Sequence, residues 1–77
     1  MPLIPYNFSY IGDLYRFLID FSDKSKPVLR RVIRYDDGRA NHTSLKWSDL
    51  PVAVAESFID KYPSCDIGNI EVSTGIT

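Results

Sequence analysis

Between Ser9 and Asp23 the apolar positions gather on one side of a helical wheel. At 100° per residue Ile11, Leu14, Tyr15, Leu18 and Phe21 share an arc, Phe17 and Ile19 widen it, and Asp13, Arg16, Asp20 and Asp23 lie opposite. Ser9 suits an N-cap and Ser22-Asp23-Lys24-Ser25-Lys26-Pro27 a terminator, so the spacing predicts a first amphipathic helix. Ahead of it, Pro2 to Asn7 is apolar but contains Pro2 and Pro5. Proline donates no ladder hydrogen bond, which makes this stretch an edge strand or an ordered lead-in.

Val28 to Tyr35 is rich in β-branched and aromatic residues and reads as a strand. Asp37-Gly38 is a preferred pair for a two-residue hairpin turn, so Arg39 to Trp47 is expected to return beside it, with Tyr35 facing Ala40 and Ile33 facing His42. In that register neither hairpin face is cleanly apolar. A bulge that switches faces, or a longer turn, sorts the residues better, and the pattern does not choose between them. Ser48 is the strongest helix start in the chain, with Trp47 before it, Asp49 in the first turn and Val52 placed for a hydrophobic staple. From Leu50 to Tyr62 the apolar arc holds Pro51, Val52, Val54, Ala55, Phe58, Ile59 and Tyr62, and Pro63 stops the run. Ile67 to Thr74 alternates and reads as a last strand. Leu14, Leu18, Ile33, Val54 and Phe58 are the expected core.

The expected fold class is therefore α+β. A small antiparallel sheet of three or four strands carries two helices on one face in (β)αββαβ order, and a ferredoxin-like arrangement results if the first strand forms. At 77 residues the chain holds one domain, residues 1–77, and no second core. Met1-Pro2-Leu3-Ile4-Pro5 has no basic n-region, and no apolar run reaches the roughly 18 residues a membrane span needs, so a cytoplasmic protein without membrane partners is expected. One cysteine, Cys65, builds neither an internal disulfide nor the core of a zinc site.

Charge changes this picture more than composition does. Lys24, Lys26, Arg30, Arg31, Arg34, Arg39 and Lys46 stand against only Asp36 and Asp37, so a basic hairpin is framed by acidic segments in a chain of net charge −1. Arginine forks grip carboxylates or phosphates, which makes Arg30, Arg31, Arg34 and Arg39 the candidate partner-binding residues. The blander account has the basic strands pairing with the acidic helices or keeping a sheet face soluble.

Catalytic and cofactor chemistry finds little support in the sequence. The glycines stand alone at 12, 38, 68 and 75, so no phosphate loop exists. His42 has no nucleophile beside it, and with Asp36, Asp37 and Asn41 it falls short of a convincing metal set. The returning strand, Arg39 to Trp47, carries one aromatic at its end and is no RNA-recognition signature. No enzyme activity, no metal and no cofactor are expected. The reading is a small non-enzymatic protein-binding module, an adaptor or inhibitor of a partner protein or complex. Small phage and mobile-element inhibitors of host or defence proteins have a similar general build, by analogy of size and composition with no shared motif. The alternative is a nucleic-acid-binding or regulatory module using hairpin 28–47. A homo-oligomer joined by an exposed sheet or edge strand is a third reading.

Overall fold

The computed structural model describes residues 3–38, 40–68 and 70. Four strands run in sequence as an antiparallel sheet: β1 (Ile4–Tyr10), β2 (Asp13–Asp20), β3 (Val28–Tyr35) and β4 (His42–Ser44), in spatial order β1-β2-β3-β4. A short 3-10 turn, Trp47–Asp49, leads to one helix, α1 (Val52–Lys61). This is a small α+β architecture in which the first strand forms.

The expected first helix is a strand. β1 and β2 join through a two-residue turn, Ile11-Gly12, with φ of 48° and 86°. Positive φ at both positions is the type I′ signature, whose twist suits a tight hairpin. Tyr15, Phe17 and Ile19 then point to the core, while Leu14, Arg16, Leu18 and Asp20 take the other side. Apolar residues on both sides of a strand mimic a broad helical stripe, because periodicity separates the two only when one side is polar. With this turn in place no helix separates the first two strands. The ferredoxin-like order and the two-helix expectation are replaced by a meander with one α-helix among the described residues.

β3 resolves the mixed faces of the hairpin by a bulge. Leu18 pairs with Arg31 and Ile19 with Leu29, which leaves Arg30 as the extra residue. Leu29 and Val32 thereby reach the same, core side, whereas an unbroken strand would set them on opposite sides. The turn to β4 is also longer than expected. Tyr35 pairs with His42 and Ile33 with Ser44, and the loop is closed by Asp36 N–H donating to the Asn41 carbonyl at 3.1 Å and Asn41 Nδ2 donating to Asp36 Oδ2 at 3.0 Å. A two-residue shift keeps His42, Thr43 and Ser44 on their expected sides, since the side-chain period is two.

α1 starts later than Ser48 suggests. Ser48 lies inside the 3-10 turn, which Asp49 holds by accepting the Lys46 backbone N–H at 3.1 Å, and Pro51 caps α1. Pro63 follows the Tyr62 cap, as expected. α1 covers one side of the sheet. Phe58 stacks on Phe17 with centroids 4.5 Å apart, and Tyr6, Trp47 and Tyr62 ring it. Tyr6 and Ser57 share a 2.9 Å hydrogen bond that ties α1 to β1. Val54 and Phe58 are thus core as expected, but Leu14 and Leu18 are half-buried on the uncovered side.

Beyond α1, Asp66 makes a parallel bridge to Val28 through Leu29 N–H to Asp66 O and Asp66 N–H to Pro27 O, both 2.8 Å. Because Val28 pairs with Asp20 on its other edge, Asp66 occupies the stretch of β3 that short β4 leaves open. Of the expected last strand 67–74, the described residues Ile67, Gly68 and Ile70 form a turn rather than a strand, with Ile70 N–H donating to the Ile67 carbonyl at 3.0 Å, and residues 69 and 71–74 lie outside the described residues.

Candidate interaction surface

The side of the sheet away from α1 carries a checkerboard. Along β2 and β3 the facing pairs are Leu14 with Tyr35, Arg16 with Ile33, Leu18 with Arg31, and Asp20 with Val28. Asn7 and Ser44 extend the Arg16–Ile33 row onto β1 and β4. Among the described residues no element packs over this side. Ile33 is nevertheless only 6% exposed and stands apart from the main core cluster.

Arg16 is held in one pose by neutral partners. Its guanidinium lies 5.0 Å over the Tyr35 ring, Nε donates to Asn7 Oδ1 at 3.0 Å, and Nη1 donates to the Tyr35 hydroxyl at 3.4 Å. Arg31 is likewise held by a neutral group, donating from Nε and Nη2 to Ser44 Oγ at 3.2 and 2.9 Å. Neither forms an ion pair among the described residues. Arg16 pairs with Ile33, so Arg31 stands diagonally across from it on the neighbouring strand, and both arginines share this side of the sheet with Leu14 and Leu18.

Among the described residues the sequence-predicted arginines do not converge. Arg30, on the bulge, pairs with Asp20 at 3.3 Å; Ser22 and then Arg30 donate to that carboxylate and hold it below the ordinary range. Arg31 is on the uncovered side. Arg34 faces the other way, between Tyr15 and Thr43 on the side of α1. Arg39 lies outside the described residues. Arg16 is the residue that sequence reasoning missed, since a helical reading of β2 sent it to solvent. The usable signal was the alternation of Tyr15, Phe17, Ile19 and Phe21 against Arg16 and Asp20.

Groups that could do chemistry are dispersed. Tyr35 and His42 lie side by side, ring centroids 5.8 Å apart. Burial, then the neighbouring Asp66, pushes the Cys65 thiol up, away from the reactive thiolate. Among the described residues there is no pocket, no cluster of three metal-ligating side chains, and no helix long and apolar enough to cross a membrane. Comparison of the chain with family models, curated proteins and solved structures returned no match.

Proposed function

We propose that the chain is a non-enzymatic protein-binding module, an adaptor or inhibitor, that docks a partner with carboxylates on the uncovered side of its sheet. The observation that carries this reading is that Arg16 and Arg31, both lacking a counter-charge among the described residues, share one side of the sheet with the half-buried Leu14 and Leu18. Interfaces between proteins favour this mixture of arginine and apolar side chains, and a held guanidinium loses little freedom on meeting a carboxylate.

A nucleic-acid ligand fits the surface less well. Arg16 occupies one face of the Tyr35 ring, where a base would stack, and the hairpin arginines are split between opposite sides of the sheet rather than forming a phosphate track. The test is capture from native lysate on the immobilised protein, with and without nuclease, repeated with Arg16→Glu, Leu18→Glu and Glu56→Lys. The expected result is one protein that survives nuclease, is lost with the first two variants and is kept with the third, whose residue is exposed on α1. Capture abolished by nuclease, or indifferent to Arg16 and Leu18, refutes the reading.

A further inference from the structure

Among the described residues β1 is an edge strand, and none of its seven residues is charged. Natural edges are commonly blunted by lysine, inward charges or a bulge, and of the usual devices β1 has only Pro5. The hairpin fixes which of its backbone groups are spare. In a two-residue I′ hairpin the residues flanking the turn exchange both hydrogen bonds, so Tyr10 bonds Asp13 and, two by two, Phe8, Tyr6 and Ile4 bond β2. Ser9, Asn7 and Pro5 therefore turn their backbone groups outward. Pro5 offers only a carbonyl there.

The ends of the same strand carry unexplained apolar exposure. Leu3 and Ile4 are 36% and 46% exposed at its start, and Ile11 is 83% exposed just past its end. Ile11 also holds a positive φ, a conformation that β-branched residues rarely adopt.

We infer that β1 pairs antiparallel with β1 of a second copy of this chain about a two-fold axis at Phe8. In this register Asn7 of each copy exchanges both backbone hydrogen bonds with Ser9 of the other, giving four bonds in all. Pro5 stays outside the ladder; a two-fold axis at Asn7 would instead require a donor from Pro5 and lose it. The axis at Phe8 sets Phe8 beside its own copy, and Tyr6 beside Tyr10 of the other. It also carries the exposed Ile11 turn to Pro5 and Ile4 of the second copy, so the two apolar ends of β1 cover one another. The interface is isologous and closes at two, since each copy spends its β1 edge on the other. It uses none of the Arg16–Arg31 surface and stands independently of the proposed function.

Sedimentation velocity from low micromolar to about 1 mM protein, spanning the weak-association range, tests this together with amide exchange by NMR. The mass is expected to rise from 8.8 kDa toward twice that value, with the Asn7 and Ser9 amides slowing in exchange as it does. Ile11→Asn and Ser9→Pro are each expected to weaken association about tenfold or more, as loss of a central contact does. Ile11→Asn is the decisive variant because it relieves the turn, so lost association cannot be ascribed to unfolding. A strict monomer throughout, unchanged Asn7 and Ser9 amides, or association indifferent to Ile11→Asn overturns the inference.

Discussion

Replacing Ile11 by asparagine is expected to stabilise the folded monomer. An L-residue in the left-handed region is disfavoured by about 1–2 kcal/mol, and the φ of 48° places Ile11 there. Little is lost in return. Full burial of an isoleucine contributes about 1.5–3 kcal/mol, and with the side chain 83% exposed less than a fifth of that, about 0.3–0.5 kcal/mol, is forfeited. Asparagine tolerates left-handed backbone, and Asn-Gly is a favoured type I′ pair, so most of the strain is recovered. The net gain is about 0.5–1.5 kcal/mol, which for a domain of this size raises Tm by about 3–10 °C. Ile11→Gly relieves the same strain but enlarges the entropy of the unfolded chain by about 0.5–1 kcal/mol, so it should gain less. Ile11→Val keeps the branched side chain and should gain nothing. The assay is urea denaturation and calorimetry at low micromolar protein, where association does not contribute. A fall in stability with Ile11→Asn, or an equal gain with Ile11→Val, would refute the reasoning and mean that the side chain is held by contacts in the monomer.

Phe58→Ala removes the ring at the centre of the aromatic cluster and is expected to cost about 3–5 kcal/mol in urea denaturation, a large share of the roughly 4–12 kcal/mol a chain of this length commands. A loss below 1 kcal/mol would mean that α1 is not packed on Phe17. Asp20 and Asp23 are held below their ordinary pKa chiefly by hydrogen bonds from Ser22 and Ser25. Their stabilising contribution is therefore complete above the unfolded value near pH 4 and is lost as pH falls through the lower folded values. Carboxyl chemical shifts should show both titrating below pH 4, and Ser22→Ala should move Asp20 back upward while leaving Asp23 in place. Cys65, half-buried beside Asp66, should react with a thiol reagent more slowly than free cysteine at pH 8, and at the free rate once urea unfolds the chain.

The arginine pair on the sheet shows how much depended on one secondary-structure decision. Arg16 read on a helix is a solvent residue among acids; read on β2 it is the cross-strand neighbour of Ile33, stacked on Tyr35. The segment from Leu14 to Phe21 satisfies both periods, since Leu14 and Leu18 are apolar as well as Tyr15, Phe17 and Ile19. Ile11-Gly12 could have broken the tie, but isoleucine is a poor turn residue, and its left-handed backbone becomes visible only in the structure.

What the amino-acid order determined by itself is local. Pro63 ends α1, the branched and aromatic run 28–35 is a strand, Val54 and Phe58 line one side of a helix, and the basic charge concentrates in residues 24–47. Each follows from backbone sterics or a single clear period. Tertiary structure decided the rest. The bulge at Arg30 allows Leu29 and Val32 to share a side, the pairing of β2 between β1 and β3 makes a doubly apolar segment a strand, and the separation of Arg31 from Arg34 follows from strand alternation once a neighbour sets the register. Register and face are properties of paired strands, and pairing is a long-range choice that one strand's own residues do not contain.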